Sequence, residues 1–309
     1  MLCAMIKRKV SVICALALLA VLGSVYTINA PENNGIPEEP IGIPESTEVS
    51  ETISESGESG GNTLSQLNFS IDPNGSKYTS KKSGNTGWGF KKEKGKAPLI
   101  DEATKNMFGE TNTYYIDNRG GKVMYLTFDE GYENGYTAQI LDVLKEKNVQ
   151  AAFFITGPYL SRETELVDRM VNEGHIVGNH TVNHPNLAKS ELSVVASELK
   201  GLNDAFSEKY GKDMIYMRPP EGEYSEKLLC FTGDMGYKTI LWSFAYKDWD
   251  VKIQKGAEYA FNQVTPYFHD GAILLLHAVS SDNAGALGKI IDCAREQGYE
   301  FKSLDYLTE

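Results

Sequence analysis

From residue 122 onward, short apolar runs alternate with longer amphipathic segments, and this alternation restricts the fold more than any other feature of the chain. The apolar runs predict β-strands at 123–128, 151–156, 176–178, 214–217, 239–242, 272–276 and 299–302. Apolar residues at helical spacing predict helices at 137–147, 163–173, 190–210, 225–236, 256–268 and 282–297. Strands that alternate with helices in this way run parallel under a helical layer, as an open sheet or a barrel.

The N-terminal 30 residues carry three basic groups and no acid. Their apolar run at 10–26 is typical of a secretory signal or a membrane anchor. We favour an uncleaved anchor, because Ile28 and Pro31 flank the candidate cleavage point unfavourably; a cleaved, secreted form is the alternative. Either way, the remainder of the chain is expected outside the cytoplasm.

Residues 31–84 are acidic, rich in Ser, Gly and Pro, and almost free of aromatics, which predicts a disordered linker. The segment 77–96 holds seven lysines and one acid, and we interpret it as a solvated surface rather than a patch for an anionic polymer. Residues 85–309 are predicted to form one catalytic domain. Cys230 and Cys293 are interpreted as small apolar side chains, although a disulfide stays open. The absence of a basic stripe disfavours nucleic-acid binding.

Two groups of polar residues follow the first and third predicted strands. Asp129 and Glu130 end the first strand, either as a solvated turn or as a base beside a metal ligand. His180 and His184 follow the third strand at a spacing that lets both face one way. Two histidines and a carboxylate make the ligand set of an open, catalytic zinc-type site. The nearby His175 is interpreted as structural.

Three more polar residues follow later strands. Arg218 precedes two prolines after the fourth strand, where a rigid backbone could hold it against a carboxylate. His277 ends a very apolar sixth strand, and an imidazole there needs a partner, for which Asp248 is a candidate. Because the carboxyl ends of parallel strands meet at one edge, all these groups are expected to lie close together.

These motifs, in this order and spacing, resemble those of the polysaccharide deacetylases, carbohydrate esterase family four, with its NodB-homology domain. The matching strings are TFDEG at 127–131, HTVNH at 180–184, RPPEG at 218–222, DW at 248–249 and LLH at 275–277. The longer strings at 125–137, 88–90 and 275–280 resemble the sporulation deacetylases that make muramic-δ-lactam in spore cortex peptidoglycan. The resemblance covers about residues 85–309. It implies a distorted (β/α) barrel of about seven strands, with an open doubly wound sheet as the alternative.

The resemblance also implies catalytic roles. Asp129 would be the general base for the attacking water, and His277 the acid that protonates the leaving amine. Arg218 would position Asp129, and Asp248 would bias the protonation of His277. The remaining residues would bind substrate: the backbone N–H of Glu221 at the oxyanion, and Trp249 and Leu275 around the acetyl methyl group.

The resemblance implies a divalent metal, for which zinc is the expected ion, held by His180, His184 and Glu130. The family has an aspartate where this chain has Glu130, and the extra methylene moves the carboxylate by more than an ångström. Either the backbone shifts so that Glu130 still ligates, or the metal is held by two histidines and water, with or without another group.

The expected function is N-deacetylation of N-acetylmuramic acid in peptide-stripped peptidoglycan, which leads to muramic-δ-lactam. The alternatives are deacetylation of N-acetylglucosamine in peptidoglycan or chitin, an O-acetyl xylan esterase, and an inactive anchored glycan-binding module. By family analogy a separate amidase would strip the stem peptide first. The protein is expected to be a monomer that acts outside the cytoplasm, in the space between the membranes that surround the forespore.

Overall fold

The computed structural model describes residues 66–309. The predicted anchor at 1–30 and the linker up to residue 65 lie outside the described residues and stay predictions. Among residues 66–309, no helix is both long and apolar enough to cross a membrane.

All seven predicted strands are present, each end within two residues of its prediction. The strands are β1 (Thr86–Gly87), β2 (Thr113–Tyr114), β3 (Val123–Glu130), β4 (Ala151–Ile155), β5 (Ile176–Asn179), β6 (Tyr216–Met217), β7 (Glu223–Tyr224), β8 (Lys238–Ile240), β9 (Ala272–His277) and β10 (Glu300–Phe301). The short strands β1, β2 and β7 were not predicted. β1 and β7 form a small antiparallel pair apart from the main sheet.

The main sheet has eight strands, all paired in parallel, in the order β10-β3-β4-β5-β6-β8-β2, with β9 on β3. The sheet curls back on itself beyond β8 and β2. A parallel bridge joins Phe244 to Leu274, and an antiparallel bridge joins Ile116 to Ala272, so both segments return to β9. The predicted distorted (β/α) barrel is therefore confirmed, and the alternative of an open doubly wound sheet is wrong.

Helices surround the barrel, except that the last one packs Leu304 and Leu307 into the interior core. They are α1 (Ser76–Thr79), α2 (Glu102–Glu110), α3 (Thr137–Glu146), α4 (Gly157–Arg162), α5 (Thr164–Asn172), α6 (Leu192–Tyr210), α7 (Glu226–Asp234), α8 (Ala257–Val264), α9 (Ser281–Glu296) and α10 (Leu304–Thr308). All six predicted helices are present, and α8 continues as a 3₁₀ turn to Tyr267. α3 and α9 cover the central strands β3 and β9 with fully buried side chains such as Leu141 and Ile290.

Residue parity along β3 decides which core a side chain enters. Tyr125 packs inside the barrel with Phe154 and Ile273, whereas Leu126 and Phe128 belong to the larger core that includes the helices. Successive side chains of a strand point to opposite faces, so odd-numbered residues of β3 face the barrel interior. This alternation governs the arrangement of the candidate site at the end of β3.

The residues before position 85 are packed against α7. Leu67 and Tyr78 are buried, and the ring of Tyr78 meets Phe231 of α7 edge-on with centroids 5.2 Å apart. The backbone N–H of Asn68 donates to the carbonyl of Met235. The domain therefore begins before residue 85, and residues 66–84 are not the disordered linker that their composition predicted.

The lysine-rich segment is held to the domain by its own side chains. Lys77 forms an ion pair with Asp234, and Lys81 forms one with Glu226. The ammonium of Lys92 donates to the carbonyl of Ala245. These lysines therefore stabilise the fold. Cys230 and Cys293 are free thiols in partly buried positions, so they form no disulfide with each other.

We expect Tyr78→Ala to lower the free energy of unfolding by about 3–5 kcal/mol, because a buried aromatic ring is removed from a packed site. Urea unfolding of the full chain measures this loss. Leu99→Ala is the matched control, since Leu99 is 92% exposed and should change stability by less than about 0.5 kcal/mol. Equal effects of the two substitutions would show that residues before 85 are not part of the folded domain.

Candidate active site

Asp129 and Arg218 form a buried ion pair at the carboxyl end of β3. Nη1 of Arg218 donates to Oδ1 of Asp129 at 2.7 Å. Burial opposes ionisation of the carboxyl, but the charges of Arg218, His180 and His277 outweigh it and hold the pKa of Asp129 below its usual value. Asp129 is therefore a carboxylate at neutral pH, as a general base must be.

Arg218 is fully buried, and hydrogen bonds and two aromatic rings fix the plane of its guanidinium. Nη2 donates to Oγ1 of Thr127 at 2.9 Å, and Nε donates to the carbonyl of Ile240 at 2.9 Å. The guanidinium lies over the ring of Phe154 at 4.2 Å and near that of Trp242 at 5.7 Å. Because these contacts fix the plane of the guanidinium, its hydrogen bond holds the Asp129 carboxylate in one orientation.

The turn after Arg218 depends on a glycine. Gly222 has φ 66°, and a Cβ on it would lie 2.5 Å from the ring of Trp242. The turn can therefore approach Trp242, and through it Arg218, only because residue 222 has no side chain. Glu221 precedes it with φ 58° and is exposed at the rim.

His277 and Asp248 form a second polar pair beside the first. His277 is the register partner of Asp129 on the neighbouring strand β9. Nδ1–H of His277 donates to Oδ1 of Asp248 at 2.7 Å, which leaves Nε2 free. Burial disfavours the protonated imidazole, but Asp248 outweighs it and raises the pKa of His277 above its ordinary value. The site thus holds an ionised carboxylate next to an imidazole that is biased toward its charged form.

His180 and His184 lie close together after β5. Their ring centroids are 4.8 Å apart. Nδ1–H of His180 donates to the carbonyl of Arg218 at 2.8 Å, so Nε2 carries the free lone pair and lies 3.7 Å from Oδ2 of Asp129. Burial, opposed by Asp129 and aided by His184, lowers the pKa of His180 to about 4. A neutral imidazole whose second nitrogen is fixed by a carbonyl is the usual form of a metal ligand.

Glu130 lies on the other face of β3. Its backbone still belongs to the strand, since Glu130 pairs with Ile155 and its carbonyl accepts from Thr156. The side chain therefore alternates away from Asp129 and lies near Tyr159 of α4. Both carboxyl oxygens are buried without a hydrogen-bond partner among the described residues. Burial, with Glu133 and Asp129, raises the pKa of Glu130 well above its usual value.

The predicted metal-binding set is thus only partly assembled. Within residues 66–309, no three His, Cys, Asp or Glu side chains come together as a metal site. The two imidazoles fit the chemistry of a divalent metal, because they lie side by side and Nε2 of His180 is unprotonated. Glu130 does not fit as a ligand in this conformation, because β3 continues through it and turns its side chain toward α4.

We expect Glu130→Gln to leave zinc affinity unchanged and His180→Ala to weaken it by more than about 100-fold. Glutamine keeps the shape of the side chain but cannot ionise. Calorimetric titration of the two variants with Zn²⁺ measures both effects. A loss for Glu130→Gln as large as that for His180→Ala would mean that the strand end rearranges so that Glu130 ligates.

The residues predicted to bind substrate lie in different settings around this site. Leu275 is buried two residues before His277, on the same face of β9. Trp249 follows Asp248 and is 54% exposed, with the ammonium of Lys247 5.0 Å from its ring. Glu221 lies at the turn described above. Their roles toward substrate stay predictions.

Two polar residues of the site were not predicted from the sequence. Thr127 was visible inside the quoted motif, and its position two residues before Asp129 already indicated that both side chains share a face. Asn283 of α9 donates from Nδ2 to Oδ2 of Asp248 at 2.6 Å. It lies 35 residues from Asp248 in the sequence, and no local pattern marks it.

Comparison with known proteins agrees with this geometry. A model of the polysaccharide deacetylase family matches residues 117–240. Over 222 residues the chain is 42% identical to the peptidoglycan-N-acetylmuramic acid deacetylase PdaA of Bacillus subtilis, a match that covers 71% of this chain and 84% of PdaA. The chain belongs to the polysaccharide deacetylase family. It is accordingly a hydrolase that acts on amide C–N bonds, and the resemblance stated from the motifs is confirmed.

Solved structures show the same fold for this polysaccharide deacetylase. The structure of PdaA, a family 4 carbohydrate esterase, matches with a TM-score of 0.70 and 41% identity over 72% of this chain and 97% of PdaA. A family 4 carbohydrate esterase from Bacillus anthracis matches with a TM-score of 0.63 and 40% identity over 74% and 98% of the two chains. BA3943 of Bacillus anthracis, described as a pseudoenzyme of the family, matches with a TM-score of 0.59 and 26% identity over 64% and 69%. Members of the family are in general metal-dependent.

Proposed function

We propose that this chain removes the acetyl group of N-acetylmuramic acid in peptidoglycan whose stem peptide has been stripped, and that the product closes to muramic-δ-lactam. The observation that carries the proposal is the pairing of Asp129 with His277 in register on β3 and β9, each held by its own charged partner. Hydrolysis of an amide needs a base for water and an acid for the leaving amine. The Asp129–Arg218 pair supplies the base and the His277–Asp248 pair supplies the acid, side by side at the ends of β3 and β9.

The two pairs divide the proton transfers between them. Asp129 takes a proton from the attacking water, since Arg218 holds it ionised and fixes its orientation. His277 gives a proton to the departing nitrogen through Nε2, since Asp248 occupies Nδ1. An acid and a base in one site must have separated pKa values. The pKa of Asp129 is lowered and that of His277 is raised, which separates them as required.

His180 and His184 would hold the metal, for which we propose zinc. Bound there, it would polarise the acetamide carbonyl and lower the pKa of water. The free Nε2 of His180, beside the Asp129 carboxylate, supports this placement. Glu221, Trp249 and Leu275 are proposed to bind the acetyl group at the oxyanion and around its methyl.

The choice of sugar rests on PdaA, whose name states N-acetylmuramic acid as its substrate. In that sugar the freed amine lies near the lactyl carboxyl, so lactam closure is intramolecular and favoured by proximity. Closure requires a carboxyl without peptide, which is why we propose that an amidase acts first. We propose further that the chain is a monomer anchored by residues 1–30 and acts during sporulation, between the forespore membranes.

We expect peptide-stripped peptidoglycan to be deacetylated at least about 100-fold faster than chitin oligosaccharides, in kcat/KM. Acetate release from both substrates, and from peptide-bearing peptidoglycan as a control, measures the preference. Faster reaction of chitin oligosaccharides would support the alternative, an N-acetylglucosamine deacetylase. No release from any substrate with Zn²⁺ present would favour the inactive glycan-binding module, a possibility raised by the pseudoenzyme BA3943.

A further inference from the structure

Asn283 lies behind the Asp248–His277 pair and is 1% exposed. Its Nδ2 donates to Oδ2 of Asp248 at 2.6 Å and to the backbone carbonyl of His277 at 3.1 Å. Both partners can only accept hydrogen bonds, so the nitrogen of the amide must face them. Its Oδ1 consequently faces the hydroxyl of Tyr246, which donates to it.

The Asp248 carboxylate is thereby held on both oxygens. Oδ1 accepts from Nδ1–H of His277, and Oδ2 accepts from the backbone N–H of His277 and from Asn283. The two contacts to His277 engage one oxygen each, but both come from the same residue of β9 and move with it. The third contact comes from the first turn of α9, a rigid element whose N-terminal cap is Ser280. Asn283 thus adds a contact from α9 that holds the plane of the Asp248 carboxylate, which in turn keeps the proton of His277 on Nδ1.

We propose that Asn283, oriented by Tyr246, is a positioning residue that keeps Asp248 aimed at Nδ1 of His277. This inference rests on the proposed role of His277 as the acid, and it adds a residue that acts on the imidazole through Asp248 and touches His277 only at its backbone. Neither Asn283 nor Tyr246 lies in the motifs that identified the family.

The effect of Asn283 is expected in the charge state of His277. The ionised groups that act on this imidazole are Asp248, Asp129 of β3 and Arg218 after β6. Of these, Asp248 is the one that Asn283 touches. If Asp248 loses its orientation, the protonated imidazole loses its main support and its pKa falls. A general acid works while protonated, so activity would then decline at lower pH than in the parent protein.

Two substitutions of similar size separate positioning from packing. Asn283→Leu removes all three hydrogen bonds of the side chain, those to Asp248 and to the carbonyl of His277 and the one from Tyr246. Asn283→Asp keeps the shape and offers Asp248 either a proton to accept or a second negative charge near His277, and neither lowers the pKa of His277. We expect Asn283→Leu to lower kcat by about 10- to 100-fold with KM nearly unchanged, and to move the alkaline limb of the rate profile down by about one pH unit. We expect the limb of Asn283→Asp to stay in place or rise, and Tyr246→Phe to give a smaller loss in the direction of Asn283→Leu.

NMR titration of the histidine side chains, in the full chain with Zn²⁺, tests the proposal by a readout that does not depend on enzyme activity. The chain has five histidines, and His277→Gln assigns the signal of His277. A lower pKa of His277 in Asn283→Leu but not in Asn283→Asp supports the positioning role. An unchanged pKa in Asn283→Leu, with only reduced thermal stability, overturns it. If the pKa moves while the alkaline limb stays, Asn283 positions Asp248 as proposed and the assignment of His277 as the acid is wrong.

Discussion

Asp129→Asn should lower kcat by about 10³-fold while leaving KM within a few-fold of its original value. The amide keeps the size of the carboxylate but cannot accept a proton from water. Because the barrel interior and the cleft around position 129 keep their shape, substrate binding should persist. The rate of acetate release from peptide-stripped peptidoglycan, measured below the melting temperature of the variant, gives kcat and KM.

Asp142→Asn is the matched control for this substitution. Asp142 lies on α3 with its side chain 70% exposed and pairs only with Arg169 at the surface. The control should keep full activity. Retention of more than about a tenth of the activity by Asp129→Asn would exclude Asp129 as the general base.

Arg218→Met should lower the free energy of unfolding by about 3–5 kcal/mol, the range for breaking a buried ion pair on one side. The substitution removes hydrogen bonds to Thr127, Ile240 and Asp129 and leaves the Asp129 carboxylate buried without its counter-charge. Methionine fills most of the volume, so packing alone should account for little of the loss. Urea unfolding followed by circular dichroism measures it.

A control and a double variant distinguish the stability lost with the charge of Arg218 from the stability lost with its side-chain volume. Arg169→Met removes an arginine whose side chain is 32% exposed, and the loss should stay near 1 kcal/mol or below. The double variant Arg218→Met with Asp129→Asn should be more stable than Arg218→Met alone, because no uncompensated carboxylate remains. Additive losses in the double variant would mean that the two side chains do not form the pair described.

The sequence predicted the barrel strands well because they are buried on both faces and read as continuous apolar runs. The strand missed in the main sheet, β2, has two residues, too few for any periodicity. The start of the domain was placed too late because the few apolar residues there, Leu67, Phe69, Ile71 and Tyr78, are scattered among polar ones and follow a long acidic stretch. Their burial depends on a long-range contact with α7, which no local sequence pattern predicts.

The site was predicted from one rule, that polar groups following parallel strands meet at one edge. That rule, with the family resemblance, brought together Asp129, Arg218, Asp248 and His277. It could not decide the direction of Glu130, which depends on whether β3 ends at residue 129 or 130. One further residue of strand turns the side chain to the opposite face.

The central claim is that this site deacetylates N-acetylmuramic acid and so permits lactam formation. The most direct measurement is mass spectrometry of peptide-stripped peptidoglycan after digestion with the chain, with Zn²⁺ or with a chelator, beside Asp129→Asn. We expect loss of an acetyl group followed by loss of water on the muramic acid residue, with the metal and the parent chain only. An acetyl loss confined to N-acetylglucosamine, or an unchanged glycan with the metal restored, would contradict it.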